Sequence, residues 1–90
     1  MGDTRRLEIV NIKGLHARAS AKLVETVERF DAEATVRKDG QEALGDSIMG
    51  LLMLAASRGT FIEVETTGAQ ATELADAIEA LVSDKFGEGD

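Results

Sequence analysis

The stretch EATVRKDGQEAL, residues 33–44, contains the clearest local fold signal in the chain. Its first half alternates Ala34 and Val36 with polar side chains, which is typical of a β-strand with one buried face. The dipeptide Asp39-Gly40 is favoured in two-residue hairpin turns, and QEAL, residues 41–44, follows as a short return strand. The stretch therefore predicts an antiparallel β-hairpin in the middle of the chain.

Helical patterns flank this hairpin on both sides. Upstream, residues 17–30 lack glycine and repeat apolar side chains at helical spacing. Downstream, residues 46–57 (DSIMGLLMLAAS) predict a short second helix, with Asp46 or Ser47 as its N-cap and Gly59 as its stop. Residues 69–86 predict a third helix. The apolar stripes of the first and third helices are Ala19, Leu23, Val27 and Phe30, and Leu74, Ala77, Ile78 and Leu81.

Two further alternating segments predict strands. Leu7 and Ile9 alternate with charged neighbours as far as about Val10, and TFIEVET, residues 60–66, places Ile62 and Val64 on one side. The order β-α-β-β-α-β-α predicts an α+β fold, with helices packed on one face of a mainly antiparallel sheet. We expect one domain over residues 1–90, ordered from about 5 to 86, with residues 87–90 as a flexible acidic tail.

Composition restricts the classes of function. The 90 residues are 43% apolar and 30% charged, as in an ordinary soluble globular domain. A formal net charge of −7 and the absence of Trp and Tyr oppose nucleic-acid binding. The chain has no cysteine and no apolar run near the roughly 20 residues that a membrane helix needs. We therefore expect a cytoplasmic protein that does not bind membranes.

The segment GLHARAS, residues 14–20, contains the only histidine, His16, where the first helix begins. The N–H groups of a first helical turn lack internal partners and carry partial positive charge, which favours an anion there. Neutral imidazole is a nucleophile, and Arg18 can supply a guanidinium to phosphoryl oxygens. These groups suffice for a phosphoryl relay, which depends mainly on positioning and electrostatics. From spacing alone, a surface or capping role for His16 and a solvated Arg18 remain open.

Other chemistries lack the necessary residues. A single histidine without cysteine or clustered carboxylates does not form a usual metal-ligand set, so we expect no metal and no cofactor. Ser20 is one turn from His16, but no acid with recognisable spacing could orient the ring for a hydrolase triad.

The segment GLHARAS, followed about 30 residues later by DSIMGLLML (residues 46–54), resembles the HPr family of histidine-containing phosphocarriers of the bacterial phosphotransferase system. The resemblance covers roughly Leu7 to Phe86. It implies an open-faced β-sandwich, in which a four-stranded antiparallel sheet carries three helices on one face. It also implies that His16 accepts a phosphoryl group on Nδ1 from enzyme I, with Arg18 stabilising the phosphate, and passes it to a histidine of a downstream acceptor domain. Such a protein is a carrier rather than a turnover enzyme, and we expect a monomer.

Two positions depart from the usual family pattern. Ala19 stands where proline is common, and because alanine is a strong helix former we expect the helix start to be preserved. Lys13 stands where a small polar residue is common. Its charge either lies beside the phosphoryl group or points to solvent.

The second helix contains the second predicted site. We assign Leu51 and Leu54 to the core, whereas the family register leaves Ile48, Met49 and Leu52 partly exposed. Exposed apolar side chains mark partner surfaces, and methionine suits several partners. By resemblance this patch docks enzyme I and the acceptor domains.

Ser47 has two predicted roles. It caps the second helix, and in the HPr family the matching serine can be phosphorylated by an ATP-dependent Ser kinase/phosphorylase. The added charge would repel acidic partners and lower transfer at the histidine.

One alternative to a sugar-uptake carrier remains open. A nitrogen-regulatory paralogue would act on the same fold mainly as a phosphorylation-dependent regulatory binding module. A generic ferredoxin-like domain would have the order β-α-β-β-α-β, so the predicted last helix and the histidine motif both count against it.

Overall fold

The computed structural model describes residues 2–88 of the chain. Its elements follow the predicted order: β1 Gly2–Glu8, α1 Ala17–Glu28, β2 Glu33–Lys38, β3 Gln41–Leu44, α2 Ile48–Met53, β4 Phe61–Thr67, α3 Ala71–Ser83, and a C-terminal 3₁₀ turn, Lys85–Gly87. The strands lie in the order β1-β4-β2-β3, and each neighbouring pair is antiparallel. The predicted α+β fold, a four-stranded antiparallel sheet with three helices, is confirmed.

One face of the sheet forms the core with the helices. Val36 pairs in register with Ala43 on β3 and with Val64 on β4, while Leu7 on β1 pairs with Ile62. All five side chains are buried. Because successive side chains of a strand point to opposite faces, the polar residues between them lie on the open face.

The central hairpin closes through two left-handed residues. Asp39 has φ +51° and Gly40 has φ +81°, and they connect the paired residues Lys38 and Gln41. Positive φ at both central positions defines the turn whose twist matches that of the flanking strands. The predicted hairpin is confirmed.

The first strand is longer than the alternating pattern indicates. All its residues from Gly2 to Glu8 pair with β4, although its N-terminal half is polar. Ile9 lies beyond the strand but is fully buried, and its backbone bonds to Thr60 O and Gly59 N, each at 2.8 Å. Pairing with β4 therefore sets the extent of β1.

The predicted end of the second helix is wrong. The helix ends at Met53, and the left-handed residue that follows is Ala55, with φ +52°, rather than Gly59. The early end lets the chain bury Ala56, whose carbonyl accepts a hydrogen bond of 2.8 Å from Leu15 N. A tertiary contact thus overrides the helical pattern of residues 54–57.

The C-terminal ends of the other two predicted helices also differ from expectation. Helix α1 stops at Glu28, and Phe30 packs against the core from the following turn. Helix α3 stops at Ser83, and Lys85, Phe86 and Gly87 have φ values of +56°, +55° and +73°. This left-handed stretch turns the chain back, so that Phe86 is completely buried.

Candidate functional site

His16 is the N-cap residue of α1. Its backbone is extended, with φ −78° and ψ −176°, and its side chain makes no capping hydrogen bond. The helical ladder starts with the bond of 2.8 Å from Ser20 N to His16 O. The N–H groups of residues 17–19 precede that bond and therefore belong to the donor-rich end of the helix. The imidazole, with 26% of its side-chain surface exposed, stands at this end.

Gly14 fixes the loop that presents the histidine. It has φ +65°, and a Cβ on it would lie 2.4 Å from Ala56 O and 2.9 Å from Ser57 Cα. Only glycine permits this approach to the segment after α2. The neighbouring bond from Leu15 N to Ala56 O ties the loop to the same segment.

Two residues that no sequence pattern indicates, Asn11 and Glu88, contact the loop of His16 or its ring. Asn11 is completely buried, and its Nδ2 donates to Gly14 O at 2.8 Å and to Glu88 Oε1 at 3.0 Å. The other oxygen of Glu88 contacts His16 Nε2. Glu88 is 72 residues from His16 along the chain, so no local spacing could reveal the contact.

Part of the predicted acidic tail, residues 87–90, lies next to this site. Gly89 and Asp90 lie outside the described residues, whereas Gly87 and Glu88 are placed beside the loop of His16. Lys22 Nζ donates to Phe86 O at 2.6 Å and so ties α1 to the C-terminal turn.

Cations line a cleft beside Glu88. The cleft, of about 280 Å³, is bordered by Lys13, Arg18 and Lys22 as well as by Glu88. Arg18 is exposed and makes no hydrogen bond or ion pair within residues 2–88, and the same holds for Lys13. The positive charges of Lys13 and Arg18 are thus available to bind an anion, although the chain as a whole has a net negative charge. Lys13, whose direction the sequence left open, lies on the cleft.

The alanine that replaces the usual proline leaves the helix intact. Helix α1 begins at Ala17, and Ala19 is completely buried in its first turn. The start of the helix is preserved as expected.

Helix α2 presents the second group of predicted residues. Ser47 is the N-cap, and its Oγ accepts a hydrogen bond of 3.1 Å from Gly50 N. Leu51 and Leu54 are buried, as predicted for the core. The N-cap prediction is therefore confirmed for Ser47, the second of the two residues considered.

The outer side of α2 is apolar and accessible. Ile48 is 40% exposed and Met49 is 69% exposed, while Leu52 is half-buried. Met53, which the sequence interpretation did not include, is 74% exposed. Helix α2 packs against α1, the helix whose N-cap residue is His16. We refer to Ile48, Met49, Leu52 and Met53 as the α2 patch.

A broader cleft, of about 720 Å³, lies over the open face of the sheet. Its arginines are already engaged. Arg37 bonds to Glu65 at 2.8 Å and to Glu42 at 2.9 Å, and Arg6 stacks over the ring of Phe61, 4.2 Å from its centroid. The hydrogen bonds that Arg37 donates to Glu65 and Glu42 raise the pKa of its guanidinium. This face therefore offers less free positive charge than the cleft beside Arg18.

Residues 2–88 contain no cluster of three or more His, Asp or Glu side chains placed to hold a metal ion. In the same range, no helix has the length and apolar character needed to cross a bilayer.

The fold and the site together define a class of protein: a small open-faced α+β sandwich that presents a histidine at a helix N-terminus, beside free cations and an exposed apolar helix. Comparison with known proteins specifies the family. The model of the PTS HPr component phosphorylation site matches residues 4–84. The phosphocarrier protein HPr of Neisseria meningitidis serogroup A is 49% identical over 84 residues, covering 93% of this chain and 94% of its own.

Two further relatives support the same assignment. The phosphocarrier protein NPr of Escherichia coli K12 is 46% identical over 83 residues, covering 91% of this chain and 92% of its own. The crystal structure of HPr-C-His from Thermoanaerobacter tengcongensis superposes with a TM-score of 0.91 at 35% identity, covering 96% of this chain and 97% of that one. The chain belongs to the HPr family of phosphocarriers of the phosphotransferase system. It is a carrier protein rather than a catalytic enzyme.

Proposed function

We propose that His16 accepts a phosphoryl group on Nδ1 from enzyme I and passes it to a histidine of a downstream acceptor domain. The observation that carries this proposal is the orientation of the ring. Its Nε2 contacts Glu88, while Nδ1 makes no hydrogen bond within residues 2–88. A nitrogen that must attack phosphorus needs a free lone pair.

The surrounding groups supply positioning and charge. The lone pair of Nδ1 forms the bond to phosphorus while the bond from phosphorus to the donor breaks, and the donor keeps that electron pair. The N–H groups at the start of α1 and the guanidinium of Arg18 suit the oxygens of the transferred group. Because the backbone N–H groups at the start of α1 are fixed by the fold before the reaction, these donors need little reorganisation.

Labelling by enzyme I tests this assignment. With enzyme I and labelled phosphoenolpyruvate, the full chain should take up acid-labile, base-stable phosphate, and His16→Ala should take up none. Arg18→Ala should slow uptake about tenfold, as expected for loss of one charge-assisted contact. Arg29→Ala, at the other end of α1, removes the same charge and serves as the control. Uptake by His16→Ala would disprove the role of His16.

The α2 patch is the proposed docking surface for enzyme I and the acceptor domains. Its support is the exposure of Ile48, Met49 and Met53 on a helix that packs against α1. Met49→Asp should raise the KM of enzyme I for this chain without changing transfer at saturation. Leu44→Asp is the matched control, because Leu44 is 61% exposed on β3. Equal effects of the two substitutions would contradict docking at the patch.

Ser47 is the proposed regulatory phosphorylation site, and its modification by an HPr Ser kinase/phosphorylase should lower transfer. Ser47 precedes Ile48 and Met49 in sequence, so a phosphate of roughly −1.5 to −2 charge would lie beside the patch. Ser47→Asp should reduce transfer from enzyme I, whereas Ser47→Ala should lose the cap without adding charge. Unchanged transfer by Ser47→Asp would rule out repulsion as the mechanism.

The branch of the family is a separate question, because the chain is similar to both an HPr at 49% identity and an NPr at 46%. The capping serine in DSIMG favours the HPr type, and a nitrogen-regulatory binding module is the alternative. We propose a cytoplasmic monomer in either case. Transfer rates from a sugar-type and a nitrogen-type enzyme I, measured side by side, distinguish the branches.

A further inference from the structure

Glu88 holds a defined position against the histidine ring. Its Oε2 contacts His16 Nε2, and its Oε1 accepts a hydrogen bond of 3.0 Å from Asn11 Nδ2. Only 11% of the Glu88 side-chain surface is exposed. The carboxylate is therefore set between a buried amide and the imidazole.

The fold places this carboxylate through the C-terminal turn. The completely buried Phe86 anchors the turn, and Lys22 Nζ donates to Phe86 O at 2.6 Å. Backbone bonds of 2.9 Å from Gly87 N to Asp84 O and of 3.0 Å from Glu88 N to Lys85 O complete it. Core packing thus brings a residue from the C-terminus to the start of α1.

The contact has a chemical consequence for the ring. An ionised carboxylate only accepts hydrogen bonds, so Nε2 must be the donor in the pair. Neutral imidazole has one N–H, and a proton on Nε2 leaves the lone pair on Nδ1. Glu88 therefore selects the tautomer in which Nδ1 is nucleophilic.

We propose that Glu88 is a positioning residue for phosphoryl transfer, which it assists by orienting the His16 ring and by stabilising the charge that develops on it. The proposal rests on the proposed function, in which Nδ1 accepts the phosphoryl group. As Nδ1 bonds to phosphorus and the donor leaves with its electron pair, the proton on Nε2 stays and the ring becomes positively charged. The Nε2–H bond to Glu88 then becomes fully charge-assisted. On onward transfer the Nδ1–P bond breaks, and its electrons return to Nδ1 as the lone pair.

The opposing effect is repulsion between the carboxylate and the phosphoryl oxygens. Glu88 contacts the ring nitrogen on the side away from Nδ1, and Lys13, Arg18 and Lys22 line the same cleft. These cations reduce the repulsion. The stabilisation of the positive charge on the ring by Glu88 should therefore exceed the repulsion between Glu88 and the phosphoryl oxygens.

The test compares Glu88→Gln and Glu88→Ala with the wild-type full chain in transfer from enzyme I and labelled phosphoenolpyruvate. Both variants should reach full labelling at His16, but the rate constant should fall about tenfold, the effect expected of one charge-assisted hydrogen bond. Glu28→Gln, on an exposed residue at the far end of α1, changes the net charge equally and should leave the rate unchanged. Thermal unfolding checks that each variant is folded.

A second measurement detects orientation independently of rate. Nitrogen-15 NMR of the neutral His16 ring should show the proton on Nε2 in the wild type and a mixture of tautomers in Glu88→Ala. A wild-type or faster rate in Glu88→Gln, or an unchanged tautomer in Glu88→Ala, would overturn the proposal. Labelling of His16→Ala would instead overturn the proposed function, so the two failures are distinguishable.

Discussion

The substitution Gly14→Ala should destabilise the protein far more than a glycine-to-alanine change at a comparable backbone conformation. A Cβ at Gly14 would lie 2.4 Å from Ala56 O, where ordinary contact begins at 3.4 Å, so the two segments must move apart by about 1 Å. The positive φ adds roughly 1–2 kcal/mol for a residue with a Cβ. Weakening the bond from Leu15 N to Ala56 O adds about 1 kcal/mol.

Gly40→Ala supplies the matched control. Gly40 also has a positive φ, +81°, but nothing lies within 4 Å of a Cβ built on it. Gly40→Ala should lose only the backbone term of roughly 1–2 kcal/mol. Gly14→Ala should lose roughly 3–6 kcal/mol, because the weakened hydrogen bond and a steric cost of roughly 1–3 kcal/mol are added to the backbone term.

Urea unfolding followed by circular dichroism gives both free energies, with equal slopes expected for the two variants. Gly14→Ala should also slow phosphoryl transfer, because the loop that presents His16 must shift, whereas Gly40→Ala should not. If Gly14→Ala were no less stable than Gly40→Ala, the close approach to Ala56 would not be what requires glycine.

Substitutions at three further positions test other contacts. Phe86→Ala should lower the free energy of unfolding by about 3–5 kcal/mol, which urea unfolding measures. The milder substitution Phe86→Leu should displace Glu88 and so slow phosphoryl transfer, which labelling by enzyme I measures. Ser47→Ala should cost about 1 kcal/mol in urea unfolding through loss of the α2 cap. The hydrogen bond from Arg5 holds the pKa of the Asp3 carboxyl below its ordinary value. Because this folded-state pKa lies below the unfolded value of about 3.9, the contact stabilises the fold above about pH 4 and is lost as pH falls through the folded pKa. The stability difference between wild type and Asp3→Asn should therefore be present at pH 7 and shrink toward pH 3.

The network around Arg5 illustrates a contact that the sequence could not predict. Arg5 bonds to Asp3 on its own strand and to Asp76 at 2.7 Å and Glu79 at 2.9 Å on α3. These hydrogen bonds raise the pKa of Arg5. The alternation of apolar residues in β1 does not indicate the ion pairs of Arg5. Charge pairing between a strand and a distant helix produces no periodic pattern in the sequence.

Local sequence was sufficient to predict those features of the fold whose cause lies within a few residues. Asp39-Gly40 specifies a turn because few residue pairs adopt two positive φ values, and Ser47 caps α2 because its Oγ reaches Gly50 N three residues on. The position of His16 at the start of α1 follows from helical periodicity alone. The order of elements, and from it the fold class, follows from such signals.

Tertiary structure decided where elements end and what surrounds the histidine. Helix α2 stops at Met53 because Ala56 must meet Leu15, and the chain reverses after Ser83 because Phe86 enters the core. That reversal brings Glu88 to His16, across 72 residues. Periodicity reports only neighbours within a turn or a strand, whereas packing free energy is gained between residues far apart in the chain. The histidine that we propose as the phosphoryl acceptor could therefore be identified from the sequence, but the carboxylate that contacts it could not.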